Sequence, residues 1–143
     1  MRRVAAALAL AGCASAPAPS PAEPTPEEDP EVAVALRLTE APANPEGVPT
    51  TEAALVLIFD EGRRQFRSLG RLAGVCTHEP GEGALLQVRC WWAGAGTLLR
   101  LVRDGDTLLV TRVELDEMTG AGPPRTLDRV ALPPHASLRP IGP

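Results

Sequence analysis

Beyond Glu31 the chain is broken into short apolar runs separated by clusters of Gly, Pro, Asp and Glu, and that spacing is the signature of an all-β domain. Val32, Val34, Leu36 and Leu38 alternate with Ala33, Ala35, Arg37 and Thr39, the period of a strand with one buried face. A loop rich in Pro42, Pro45, Gly47 and Pro49 follows. Residues 54–59 are then continuously apolar, as in a strand covered on both faces. Asp60-Glu61-Gly62 turns the chain into residues 63–69, which read as a returning strand. Phe66, Leu69 and Leu72 would also fit one helical face capped by Asp60, but Gly62 and Gly70 weaken that helix.

The sharpest local prediction is a hairpin at Asp104-Gly105, a pair suited to a two-residue type I′ turn because both central positions need positive φ. That register sets Arg103 opposite Asp106, Leu101 opposite Leu108 and Leu99 opposite Val110. One face is then wholly apolar and the other mixed, as an antiparallel sheet with one wet side requires. The alternation slips after Thr111, where a bulge would restore burial of Val113 and Leu115. A second hairpin through Glu79-Pro80-Gly81-Glu82-Gly83 joins residues 72–78 to 85–91. The segment from Gly120 is rich in Pro and Gly and holds one short strand at 127–132.

Length bounds the architecture. Of 143 residues, about 100 remain for a single folded unit once a leader and linker are set aside. Such a domain buries roughly two-thirds of its unfolded surface, enough for one modest core. Phe59, Phe66, Trp91 and Trp92 are the only aromatics, so that core is built from Leu, Val and Ala. The expected fold is a single small antiparallel β-sandwich or partly open barrel spanning residues 32–132, after a disordered Pro-rich linker and before a Pro-rich tail at 133–143. All basic residues are Arg and the net charge is -4. A nucleic-acid partner would need a basic footprint that this total argues against.

The first residues carry a processing signal. Arg2 and Arg3 precede a short apolar run from Val4 to Leu10, too short to span a bilayer as a helix but suited to a signal-peptide core. Leu10-Ala11-Gly12-Cys13 follows and resembles the lipobox of bacterial lipoproteins. The resemblance covers the leader alone. It implies removal of residues 1–12 and a lipidated Cys13 as the new N-terminus. It also implies a membrane attachment that two or more acyl chains make stable, at about 0.8 kcal/mol per buried methylene. Ala14 stands where an Asp would favour retention at the inner membrane in part of that family, which points to the outer membrane. The competing interpretation is an ordinary secretory leader cleaved nearby. Within residues 13–31, Pro17, Pro19, Pro21, Pro24, Pro26 and Pro30 exclude a helix interior or central strand. Glu23, Glu27, Glu28, Asp29 and Glu31 add mutual repulsion. Such a stretch is a tether reaching at most about 55 Å at about 3.1 Å per residue. The irregular spacing of its prolines makes a docking motif for a proline-binding groove the weaker alternative.

Cys76 and Cys90 flank the second turn. In an oxidising envelope compartment, two cysteines on adjacent strands are most simply a disulfide. The alternative is a metal site. Cys76 and His78 share a strand face, and Cys90 opposite them could supply a third ligand to zinc or copper, with His135, Glu79 or solvent as the fourth. No cofactor or resident metal is predicted from these residues. Catalysis finds no matched roles either. His78-Glu79 lacks the second histidine of an H-E-x-x-H motif. Ser68 and Ser137 lack a nucleophile elbow, and Gly94-Ala95-Gly96 leads toward strand rather than a phosphate-holding helix.

Trp91-Trp92 is the most unusual feature of the domain. Adjacent strand residues face opposite ways, so at most one is expected to enter the core, with the other on the opposite face or at a rim. Two uses compete: packing over the cysteine bridge and a second sheet, or anchoring a partner, since exposed Trp is enriched among binding hot spots. Arg63, Arg64, Arg67, Arg71, Arg89, Arg100, Arg103 and Arg112 would form the wet face of a sheet, or, gathered on one side, dock an anionic surface. The chain as a whole resembles small uncharacterised lipoproteins of GC-rich bacteria. The expectation is a non-enzymatic envelope module, anchored through lipid on Cys13 and engaging an envelope protein through Trp91 or Trp92. The alternative is a small-ligand or metal-binding barrel near Cys76 and His78.

Overall fold

The computed structural model describes residues 29–142. The expected signal peptide, Cys13 and most of the expected tether lie outside the described residues. The domain is all-β and consists of two sheets packed face to face without closing into a barrel. In chain order the strands are β1 (Glu31–Ala41), β2 (Thr50–Ile58), β3 (Arg64–Ala73), β4 (Val75–Glu79), β5 (Leu86–Trp92), β6 (Ala95–Asp104), β7 (Thr107–Asp116), β8 (Gly120–Ala121), β9 (Arg125–Ala131) and β10 (Ser137–Pro140). The first sheet runs β10-β1-β2-β3 and the second β9-β7-β6-β5-β4, with β8 pairing β7 beyond the start of β9.

The core follows from the period-2 pattern. Val32, Val34 and Leu36 of β1 and Ala53, Leu55 and Leu57 of β2 face Val88 and Cys90 of β5, Leu99 and Leu101 of β6, and Leu108 and Val110 of β7. Leu55, Leu57, Leu99, Leu101 and Leu108 are fully buried, each contributing about 1.5–3 kcal/mol. The apolar run of β2 is covered on both faces only in part. Ala54 is buried on its outer side, whereas Val56 and Ile58 are half-buried.

Of residues 63–72, ambiguous in sequence, all but Arg63 lie in the strand Arg64–Ala73. The chain then changes sheets at Gly74, between β3 and β4. Gly74 has φ 105°, a Cβ there would lie 2.7 Å from the Trp91 carbonyl oxygen, and its N–H donates to the Pro49 carbonyl at 2.7 Å. Only glycine meets both demands. Leu72 and Ala73 therefore end β3 in the first sheet instead of opening the second hairpin, which starts at Val75.

Three further expectations are corrected. The β6–β7 turn is Gly105-Asp106, flanked by the pair Asp104–Thr107, not Asp104-Gly105. Positive φ falls on Gly105 alone of the two, as in a type II′ turn, which needs glycine at its first central position. The register is shifted by two residues, so Leu101 faces Val110; because the shift is even, the apolar face is preserved. The bulge is not on β7. It lies on β9 between Thr126 and Asp128, opposite Thr111 and Val110. Finally, residues 133–143 are not merely a tail. β10 pairs with β1, in parallel, within a sandwich that is otherwise antiparallel, and Ala136 is buried in the core. Backbone bonds from Ser137 to Pro30 and from Ile141 to Val34 lock it in place.

Candidate functional site

Cys76 and Cys90 are directly opposite on β4 and β5 and form a disulfide, with Cα atoms 3.9 Å apart. The Cys90 side is fully buried. With both sulfurs in this bond, no thiolate is left for the metal-site alternative. Among the described residues no three His, Cys, Asp or Glu side chains converge as a metal-ligand group. His78 lies two residues beyond Cys76, and its Nδ1 is buried without a hydrogen-bond partner. It lines a hollow of about 460 Å³ with Glu79, Pro80, Leu85 and Leu86. His135 is far along the chain, exposed on the β9–β10 loop at φ 58°.

The two tryptophans point to opposite faces, and neither joins the core. Trp92 is 42% exposed. It follows the inward parity of Cys90 but sits at the strand end, lining a hollow of about 330 Å³ with Asn44, Val48, Ala73 and Thr97. Trp91 is 37% exposed on the outer face of the second sheet, its ring close above Gly96. The ladder builds a row Val75–Trp91–Gly96–Leu115 and beside it Thr77–Arg89–Leu98–Val113. Val75 is 57% exposed. Val75, Trp91, Leu98, Val113 and Leu115 thus form an apolar strip across four strands, from the β4 edge inward, with Val75 and Trp91 exposed, Leu98 and Leu115 half-buried and Val113 buried.

A polar network borders this strip. Arg89 donates to Glu79 at 2.9 Å, Gln87 donates to the same carboxylate at 2.6 Å, and Arg100 donates to Gln87 at 3.0 Å. Arg100 also donates to the Glu82 carbonyl, drawing the β4–β5 turn over the sheet. The Arg89 guanidinium holds the Glu79 carboxyl below the usual carboxylate range, against an opposing effect of burial.

The remaining arginines are spread and largely paired. Arg71 bonds Glu52 at 2.7 Å, and Arg112 pairs with Glu114. Arg103 reaches the Gly105 and Ala136 carbonyls. Arg67 of β3 binds Asp128 of β9 through two bonds of 2.5 and 2.8 Å, and these bonds, more than the opposing desolvation, hold the Asp128 carboxyl below its usual range. That pair joins one edge of each sheet. Among the described residues, Arg67, Arg71, Arg103 and Arg112 thus engage partners within the sandwich. Phe66, 62% exposed on the outer face of the first sheet, is a third unburied aromatic, with the Arg37 guanidinium 5.9 Å from its ring centroid.

The disulfide was legible in the sequence, as was the placement of the two tryptophans on opposite faces. Not legible were Val75, whose exposure depends on β4 being an edge, and the Arg67–Asp128 pair, whose members are 61 residues apart. Comparison with known protein families, curated proteins and solved structures finds no match to this chain.

Proposed function

We propose that this chain is a non-catalytic lipoprotein of the bacterial cell envelope, cut before Cys13, lipid-anchored there, and held off the outer membrane by residues 13–31. Its β-sandwich binds an envelope protein through the outer face of the second sheet. The observation that carries this is the apolar strip of Val75, Trp91, Leu98, Val113 and Leu115. A small domain with few aromatics gains nothing in stability from leaving a Trp and a neighbouring Val in water, whereas a partner that covers them gains their burial.

The test is crosslinking of the full-length lipidated protein in its own envelope, beside a Trp91→Ala, Trp92→Ala variant. A discrete adduct lost in the folded variant supports the proposal, and an identical pattern from both proteins refutes it. A Cys13→Ala variant should leave the membrane fraction for the soluble one. The alternative of a small-ligand module rests on the hollow beside the unpartnered Nδ1 of His78. It predicts a small molecule retained by the native protein and lost on His78→Leu substitution, detectable by mass spectrometry of the folded protein.

A further inference from the structure

An exposed strand edge invites pairing with another chain, and sandwiches blunt their edges with inward charges, prolines, bulges or very short strands. Among the described residues, the edges of this domain carry those devices with one exception. On β3 there is a bulge at Leu69 and the inward guanidinium of Arg67. On β9 there is a bulge at Leu127 and the inward carboxylate of Asp128. β10 is short and ends in Pro140, and the part of β1 it leaves open carries Glu40 on the core-side parity. β8 has only two residues. β4 has a regular register with β5, no proline, and no inward carboxylate or guanidinium. Its one acid, Glu79, faces outward and is tied to Arg89.

The geometry of β4 says which of its groups are open. The Cα separation of 3.9 Å between Cys76 and Cys90 belongs to a non-hydrogen-bonded pair, since a hydrogen-bonded pair stands about 5.5 Å apart. Cys76 and His78 therefore turn their N–H and C=O groups away from β5, while Val75, Thr77 and Glu79 turn theirs toward it. Beyond the open side lie two hollows. One of about 310 Å³ is bordered by Leu38, Glu40, Thr51 and Cys76; the other is the hollow of His78, Leu85 and Leu86.

We infer that β4 is an acceptor edge, at which an extended segment of a partner protein adds as a further strand of the second sheet. This rests on the proposed protein-binding role of the Trp91 face and specifies the form of the partner. Residues of the added strand opposite Cys76 and His78 point inward, two apart, and are apolar to fill the two hollows. A basic residue of the segment lies near Glu40. Outward residues extend the Val75–Trp91 row. The hydrogen bonds are to backbone, so affinity comes from main chain and specificity from the two inward side chains.

The experiment is amide exchange by NMR on the full-length protein in detergent micelles, with the capped heptapeptide Lys-Thr-Val-Thr-Val-Thr-Lys as probe. With peptide at about ten times its Kd, exchange at Cys76 and His78 should slow about tenfold, while the open edge of β3 is unchanged. The same peptide N-methylated on both valine amides should give no protection, because those N–H groups are the ones that reach the β4 carbonyls. Absence of protection at Cys76 and His78 in a saturating titration overturns the inference, as does equal protection by the methylated peptide. Protection that rises with protein concentration alone overturns it in favour of edge-to-edge pairing of two copies. Failure of the underlying role is separately visible, as envelope crosslinks unaffected by substitution of Trp91 and Trp92.

Discussion

Replacing Asp128 with Asn tests whether the sandwich is held shut along one side by a single ion pair. Arg67 and Asp128 come from edge strands of different sheets and meet through two bonds of 2.5 and 2.8 Å, with side chains 34% and 18% exposed. At an effective dielectric of about 20, charges about 4 Å apart attract by about 4 kcal/mol. Desolvation of Asp128 and ordering of the Arg67 stem offset most of that, and the one-third exposure of Arg67 screens more. A net coupling of about 1–2 kcal/mol remains, above the ordinary surface pair because the contact is bidentate. In a domain of this size that is a fall in Tm of about 4–8 °C for Asp128→Asn.

The assay is a double-mutant cycle with Arg67→Gln, read by urea denaturation at neutral pH and again in acid. The Asp128 carboxyl sits below its usual range in the folded state, so the pair's contribution is complete above the unfolded Asp value of about 3.9. It is lost as pH falls through the folded value. Glu79 is depressed as well and weakens the protein in the same window, so the cycle, not the wild-type curve alone, isolates the pair. A coupling under about 0.5 kcal/mol at pH 7, or one undiminished at about pH 2.5, would refute the reasoning.

Two further outcomes follow from the second sheet and its entrance. Reducing the Cys76–Cys90 bond, which spans 14 positions of sequence, should cost about 3 kcal/mol on the chain-entropy model, about 12 °C in Tm, and Cys76→Ala, Cys90→Ala should match the reduced protein in calorimetry rather than the oxidised one. Gly74→Ala should cost at least about 2 kcal/mol, because it combines φ 105° with a Cβ 2.7 Å from a carbonyl oxygen; Gly47→Ala, with φ 82° but open space around it, should cost about 1 kcal/mol, and equal losses in denaturant would show that the close approach to Trp91 is relieved at little cost.

The fold class was legible because a period of two survives most errors of detail. The β6–β7 hairpin illustrates this: the Asp104-Gly105 pair points to a turn one residue early, yet the two-residue change of register leaves Leu99, Leu101, Leu108 and Val110 on the buried face. Parity is what burial enforces, and the turn chemistry of Asp104-Gly105-Asp106 permits either placement. The passage of the chain between sheets at Gly74 was not legible. Residues 64–73 and 75–79 run on as one β-like stretch, and only the nearness of Trp91, set by tertiary packing, shows why glycine stands between them. Nor was β10: a four-residue strand ending in Pro140 looks like tail until its partner Val34 is known.

The same distinction between local and assembled information governs the candidate site. Cys76, Cys90, Trp91 and Trp92 are adjacent in a hairpin, and two chain-local facts, spacing and strand parity, sufficed to set the bond and to split the tryptophans between two faces. Whether Trp91 would be covered depended on what lay to either side of it. On one side Gly96 leaves the ring open; on the other Val75 belongs to a strand that, among the described residues, has no outer neighbour. An edge is a property of the whole sheet order, which a chain reveals only when every pairing is known. The charged residues that blunt the other edges, Arg67, Asp128 and Glu40, look in sequence like any other wet-face charge. Their inward orientation is what gives them meaning, and it is their absence from β4, beside the exposed Trp91, that singles out this edge for the proposed strand addition.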